Sequence, residues 1–480
     1  MYVLATCATQ LLFGRLYTFF DSKATFLGTI VLFEVGSAIC GAAPNSTAFI
    51  FGRAIAGAGA AGVFAGSIVI MIPLVPLEKR PMYQGFLGAI FGVSSVIGPL
   101  VGGAFTNNNH LTWRWCFYIN LPIGAVSILL LVLFLRLPPR PKTKLTTMEK
   151  FKRMDPLGNL VFTPSIVSLL LAIQWGGSVY AWNSSRIIAL LVLAAVLFIA
   201  WIVIQAYGKE NATVPSRVFL QRSVICAMAF ALCVGGAMLV LVYYMAVWFQ
   251  AVSGVDALES GIRTLPFVLA LVAASILSGG LVSRLGYYTP MAIISACVMS
   301  VGFGLLTTLK PESGSDRWIG YQFLGGFGMG LGMQMPSIAM QVVLKDADVP
   351  IGVSLNFFAQ GLGGAVFLCV AQSVFLQELL RRLSVALPAA SAQVLAGVGA
   401  TNLRALVPLE QLPAVLAAYN GAITTTFFVA VGIAACSLLP ALGLEWRSVK
   451  AKKEEMKRRK AGKTDQSEEK GDKTHDAVEV

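Results

Sequence analysis

Residues 185–206 read SRIIALLVLAAVLFIAWIVIQA, with Arg186 near one end and Gln205 near the other as the only strongly polar side chains. About 20 mainly apolar residues let a helix cross a bilayer, so this stretch is a membrane span. Similar stretches occur at roughly 2–20, 25–43, 47–75, 84–105, 115–137, 156–175, 223–250, 258–282, 290–309, 319–343, 351–375 and 419–443, which makes thirteen. Composition agrees: 56% of the 480 residues are apolar and 12% are charged, against about 25% charged in a soluble domain. Segments of about 10 residues with alternating polarity, which a membrane barrel needs, do not occur. The fold class is therefore an all-α polytopic membrane protein.

The net charge of +13 does not point to nucleic acid, because the basic residues cluster between apolar runs and in a tail. Membrane proteins distribute charge in that way. Two histidines, His110 and His475, exclude a His-built metal centre, and eight cysteines without C-x-x-C spacing read as free buried thiols. Neither metal nor cofactor is expected. Two strings in the tail imitate ATPase chemistry. Gly462-Lys463-Thr464 lacks the upstream glycine of a P-loop, with Lys457 in its place, and Asp472-Lys473-Thr474-His475 has no folded domain around it. Any pumping must then draw on an ion gradient.

Short-loop lysines and arginines set orientation. Ala43–Ser46 and Gly176–Ser184 are bare, whereas Lys79 and Arg80, the run from Arg136 to Arg153, and Lys209, Arg217 and Arg222 fall on alternate connections. Lys310, Arg317, Arg381, Arg382 and Arg404 fall on the other side as exceptions. The basic side and the tail are expected inside and Met1 outside. Leu145, Met148, Phe151 and Met154 recur every three residues among lysines, the pattern of a surface-lying amphipathic helix or of a solvated linker. Asp155-Pro156 supplies an N-cap and a first-turn proline for the next span. The basic tail from Trp446 reads as disordered. Asn45 and Asn183 begin sequons in short outside loops.

Glycines punctuate the spans. Arg53-Ala54-Ile55-Ala56-Gly57-Ala58-Gly59-Ala60-Ala61-Gly62 leaves an arginine on a nearly bare helix, and Gly98-Pro99-Leu100-Val101-Gly102-Gly103 follows Gly85, Gly88 and Gly92. Small residues at this spacing let helices approach closely. Gly14 and Gly98 lie 84 residues apart, as do Gly279 and Gly363, and Gly325–Gly328 roughly matches Gly57–Gly59 in order. Internal repeats of this kind mark secondary transporters.

Arg53 to Gly62 resembles the fourth-span motif of the major facilitator superfamily, and Gly98-Pro99-x-x-Gly102-Gly103 resembles the fifth-span motif of its antiporters. Trp113-Arg114-Trp115-Cys116-Phe117-Tyr118-Ile119-Asn120-Leu121-Pro122-Ile123-Gly124 is similar to the following string in the 14-span drug/proton antiporter branch. Arg284–Pro290 and Leu355–Gly361 resemble fungal toxin-efflux members. The resemblance implies two helical bundles joined by two extra spans. The units would be an N-terminal bundle at 1–137, a basic linker at 138–155, the extra spans at 156–206, a C-terminal bundle at 207–443 and a disordered tail at 444–480. Two departures stand out: Thr18 and Phe19 replace the family's loop charges, and the likeness begins within its second span. A chain with one more apolar span is thus expected to export, and this one poorly.

Glu34 and Arg53 flank the turn at Pro44-Asn45 at equal separations, so at 1.5 Å per residue they reach the same depth. An ion pair across that hairpin is expected, either as a structural tie or as a proton site. Tyr243, Tyr244, Trp248, Phe249 and Gln250, with Asn356, Phe357, Phe358 and Gln360, supply the aromatic and polar groups of a drug-sized cavity. For Trp248 to Gln250 an interfacial belt is the alternative. The expectation is a monomeric exporter of lipophilic small molecules, in the plasma membrane or an internal one such as the vacuole. The resemblance adds proton antiport. An uncoupled or uptake facilitator and a non-transporting relative stay open.

Overall fold

The computed structural model describes residues 1–106, 112–138, 146–177, 179–386, 407–408, 411–452 and 454–455. His110, Arg140–Leu145, Arg404 and the strings at 462–464 and 472–475 lie outside them. Helices dominate throughout. The first six are α1 (Tyr2–Phe19), α2 (Ser22–Ala42), α3 (Ser46–Leu74), α4 (Arg80–Thr106), α5 (Trp115–Tyr118) and α6 (Asn120–Phe134). After the short α7 (Thr147–Lys152) come α8 (Pro156–Trp175) and α9 (Ser185–Gly208), then the short α10 (Ser216–Phe219). The remainder comprises α11 (Arg222–Trp248), α12 (Ala257–Arg263), α13 (Leu265–Leu285), α14 (Thr289–Leu306), α15 (Ser315–Gly332), α16 (Met335–Val343), α17 (Val349–Ala386), α18 (Leu412–Cys436) and α19 (Leu438–Gly443).

All thirteen expected spans are helical, and ten helical segments among the described residues are long and apolar enough to cross a membrane. Four expected spans are broken. The fifth divides at Ile119, the ninth at Thr264, the eleventh at Met333–Gln334 and the last at Ser437. Pro266 and Pro336 sit in the first turns of α13 and α16, where a missing N–H costs nothing but the preceding helix cannot continue unbroken. Side chains cap several helix starts, and the one at Asp155 is the cap that the sequence names. Asp21 accepts from Ala24 N and Asn45 from Ala48 N, both at 2.8 Å. Asp155 caps α8 through Gly158 N at 2.8 Å, with Pro156 in the first turn. Of the amphipathic stretch, α7 keeps one helical turn and a half. Met148, within α7, is exposed, and Met154, in the turn that follows it, is buried.

Packing divides the spans into two sets with the same internal pattern. In the first set α3 packs on α1 and α2; in the second, α15 packs on α13 and α14. The glycines explain the matching closeness. A Cβ on Gly57 would meet the Tyr2 carbonyl and one on Gly59 the Phe33 backbone; 269 residues later, one on Gly326 would meet the Phe267 carbonyl and one on Gly328 the Met299 backbone. The sets are joined crosswise, α1 against α17 and α4 against α13. Gly14 lies beside Ser354 at the first seam and Gly279 beside Pro81 at the second. These contacts make the repeat a packing fact. Gly98 and Gly363 are not equivalent, however: a Cβ on Gly363 would strike the Leu232 carbonyl of α11, whereas Gly98 meets nothing within 4 Å. Near Gly102 the closest atom to such a Cβ is Cys116 Sγ at 3.9 Å.

The ends bearing the basic loops gather on one face. Arg222 Nε donates to Gly443 O at 2.8 Å, Val449 N to Gly286 O at 2.9 Å and Tyr288 Oη to Glu445 O at 2.9 Å. The start of the tail is thereby docked under α11, α13 and α14 instead of leaving the bundle at residue 444. Of the eight free cysteines, Cys297 and Cys436 are exposed. A helix facing lipid keeps an apolar outer surface, so an apolar sequence position does not imply a buried one.

Candidate functional site

The expected Glu34–Arg53 ion pair is not formed. Gly36 and Gly59 bring α2 and α3 together along the face that carries Phe33 and Ala56, while Glu34 and Arg53 make their contacts with other helices. The Arg53 guanidinium lies 4.4 Å from the Tyr2 ring centroid and 5.7 Å from that of Phe117, a cation–π arrangement. Glu34 points to α6, where its carboxylate occupies the space a side chain at position 124 would need. One carboxylate oxygen, Oε2, is buried without a hydrogen-bond partner among the described residues. Near it Asn120 Nδ2 donates to Ser37 Oγ at 3.2 Å. Arg114 donates to the last carbonyls of α2, Gly41 O at 2.6 Å and Ala43 O at 2.9 Å. The string from Trp113 to Gly124 is thus the surface that fastens α5 and α6 to α2.

The aromatic candidates divide by depth. Trp248, Tyr244 and Phe249 are fully buried, and Tyr243 is exposed. Trp248 Nε1 donates to Asn420 Oδ1 at 2.8 Å, and Asn420 Nδ2 donates to Leu309 O at 3.0 Å. Trp248 is therefore neither belt nor cavity lining; it anchors α11 to α18. Gln250 lies in the π-turn Phe249–Ser253 that ends α11. Phe357 faces Phe64 at 5.8 Å and Phe358 faces Phe162 at 5.4 Å. Gln360 meets α11 through its backbone beside Gly235. None of the nine cavity candidates lines one cleft between the two sets, which is walled by Phe91 and Ser95 of α4, Met238 and Val242 of α11 and Thr264 and Phe267 around α13. At about 160 Å³, it is below the roughly 300 Å³ a drug-sized ligand occupies.

Other polar groups are buried, and of the four that follow only Asn356 was a candidate in the sequence. Gln84, Gln341, Ser354 and Asn356 each hold a buried side-chain oxygen or nitrogen without a partner among the described residues. Each sits within about 11 Å, at 1.5 Å per residue, of the basic-face end of α4, α16 or α17. The signal was there as single amides in apolar runs, but sequence alone does not say which face of a helix meets the opposite set.

The family model described as Major Facilitator Superfamily matches residues 1–368. The chain belongs to that family. Similar proteins include the "MFS-type efflux pump MFS1" of Arthroderma benhamiae, 49% identical over 94% of this chain and 84% of the relative. Others are the "Rubrofusarin-specific efflux pump aurT" of Gibberella zeae, 48% identical over 94% and 82%, and "Efflux pump aflT" of Aspergillus parasiticus, 48% identical over 94% and 87%. Among solved structures, the proton:xylose symporter XylE bound to 6-bromo-6-deoxy-D-glucose aligns with a TM-score of 0.57 at 13% identity, over 94% of this chain and 87% of that one. The human organic anion transporter MFSD10 aligns with a TM-score of 0.54 at 14% identity, over 89% and 82%. As a major facilitator the chain is a multi-pass membrane transporter with a small-molecule substrate, and not an enzyme.

Proposed function

We propose that this chain exports lipophilic small molecules of the secondary-metabolite or drug class by alternating access, in exchange for protons. The observation that carries the reading is the band of unpartnered buried polar atoms on Gln84, Gln341, Ser354 and Asn356. Burying such atoms without hydrogen bonds costs about 1–3 kcal/mol each, so a permanently closed core would not accumulate them. Parting the two sets at the α1–α17 and α4–α13 seams would give each of them water or a substrate polar group. The efflux names of the relatives support the outward direction, and that of aurT, a rubrofusarin-specific efflux pump, supports a small organic substrate.

Glu34 is our candidate proton carrier: it is a carboxyl in the middle of a span, with one oxygen unpartnered. Arg53 then acts through the rings of Tyr2 and Phe117 rather than by pairing with Glu34. The glycines Gly57, Gly59, Gly98, Gly102 and Gly103, with Pro99, provide the smooth faces on which helices slide. In this reading the mechanical units are 1–137 and 207–443, linked by 138–155 and the spans 156–206, with the basic face and the tail from 444 in the cytoplasm. The protein works as a monomer in the plasma membrane. Expression in efflux-deficient yeast loaded with a lipophilic fluorescent aromatic compound tests the proposal. Accumulation should fall relative to cells with an empty vector and return to their level when a protonophore collapses the gradient. Export that ignores the protonophore would leave an uncoupled facilitator, and no difference from the empty vector would remove transport of that class.

A further inference from the structure

Between α9 and α11 the chain passes through a short connector, Lys209 to Arg217, that touches both helix sets and the pair α8–α9. On one side Thr213 donates to Asp155 Oδ2 through its backbone N at 2.9 Å and its hydroxyl at 2.8 Å, and Gln205 Nε2 donates to the same oxygen at 2.6 Å. Val214 N completes the attachment on Gln205 Oε1 at 2.9 Å. Asp155 makes these contacts from a left-handed backbone, φ 53°, a conformation that Asp tolerates better than most residues. The connector is therefore fixed to the basic-face ends of α8 and α9.

From that mount it reaches in two directions. Arg15, about one turn before the end of α1 and 3% exposed, donates to Thr213 O at 3.2 Å and Glu210 O at 3.1 Å. Arg217 donates to both carboxylate oxygens of Asp348, just ahead of α17, at 2.6 and 2.9 Å, and to Glu210 at 2.8 and 2.9 Å. The side chain of Asp348 is 7% exposed, that of Arg217 42%. The α1 and α17 ends held in this way are the ones that meet at Gly14 and Ser354. They cannot separate without loss of one of the two attachments. The two differ in what they leave behind. Breaking the Arg15 contacts strands a buried guanidinium, which is costly. Breaking Arg217–Asp348 leaves Arg217 half in water and still bound to Glu210, while Asp348 is hydrated as the seam opens.

We infer that residues 209–217 form a clasp over the basic-face end of the α1–α17 seam, with Arg217–Asp348 as the contact that opens in each transport cycle and Asp155 as its mount. This rests on the alternating-access reading above. It gives the extra helix pair a mechanical part in gating, and Arg217 and Asp348 are positioning residues that touch no substrate.

Two measurements test it. Cysteines introduced as Arg217→Cys and Asp348→Cys are bridged with a bifunctional thiosulfonate reagent, with each single variant treated alike as control. Transport should fall at least several-fold on bridging and return on reduction. Bridged protein that transports as fast as unbridged protein overturns the inference, since the clasp would then never need to open. Separately, a cysteine replacing Ser354 is alkylated in open membrane fragments, a readout that needs no substrate. Asp348→Asn should raise the alkylation rate by about tenfold, the order set by losing one charge-assisted pair, and Arg217→Lys should give an intermediate rise. Unchanged alkylation in both variants overturns the clasp. Raised alkylation in a protein that exports nothing would keep the clasp and remove only the export reading.

Discussion

At the scale of single residues, direction decides what a side chain does. Trp248 and Asn420 lie on α11 and α18 with their polar atoms matched, so Trp248→Phe removes a donor and leaves Asn420 Oδ1 alone in the interior. An interhelical hydrogen bond of this kind in a membrane protein is worth about 0.6 kcal/mol on average and up to about 1.7, and the orphaned acceptor places the loss at the upper end. The expected outcome is a lower midpoint of thermal unfolding in detergent for Trp248→Phe, with Tyr243→Phe at an exposed position unchanged. For Glu34 and Arg53 the absence of shared partners gives an equally direct expectation. Glu34→Gln and Arg53→Ala should combine additively in a transport assay, within about 0.5 kcal/mol as for independent sites. A larger coupling term would mean that the two side chains meet in a state other than this one. Outside the spans, Arg217 is held strongly protonated by its hydrogen bonds to Asp348 first and Glu210 second, so its pKa moves up against the effect of burial. It therefore stays charged at any physiological pH, and a pH-dependent transport rate has to come from another group.

At the scale of elements, glycine spacing sets how closely helices pack. A Cβ on Gly328 would run into the backbone of Met299, whereas one on Gly304, on the neighbouring helix α14, would meet nothing within 4 Å. Gly328→Val should push α14 and α15 apart at a cost of about 1–3 kcal/mol, the range for overpacking a tight interface. Gly304→Ala should be neutral or slightly stabilising, because alanine is the better helix former. Thermal stability of the two purified variants checks the contrast. A similar loss for both would mean that helix propensity, and not the α14–α15 contact, dominates. The broken spans belong to this scale too. Prolines at 266 and 336 are visible in the sequence, but a first-turn proline and a mid-span kink look alike until the hydrogen bonds around them are known.

At the scale of the whole molecule, the crosswise joints α1–α17 and α4–α13 hold the two helix sets against each other. The gathering of α1, α4, α9, α11, α13 and α17 ends on one basic face gives the topology a sharp test. In intact cells a cysteine at Lys79, on that face, should escape an impermeant thiol reagent, and one at Trp182, in the bare loop opposite, should react. Both positions are exposed, so neither result can come from burial. The reverse pattern would invert the molecule and the direction of export with it.

The sequence by itself determined where the helices run, the helix cap at Asp155, the basic-loop alternation and the glycine repeat, because each depends on residues close along the chain or on bulk polarity. It suggested that Gly57–Gly59 and Gly325–Gly328 correspond, and the packing of both against the preceding helices makes that correspondence physical. Tertiary structure alone decided rotation about the helix axes. Equal depth for Glu34 and Arg53 followed from counting residues, but a helix turns about 100° per residue, consistent with 3.6 per turn, so depth does not fix facing. The same freedom sent Trp248 into the core, left the cavity candidates outside that cleft, and brought Arg15, Glu210, Arg217 and Asp348 together from three places in the chain. In a membrane the apolar outside and the apolar inside of a bundle look alike in sequence. Only packing against specific neighbours distinguishes them.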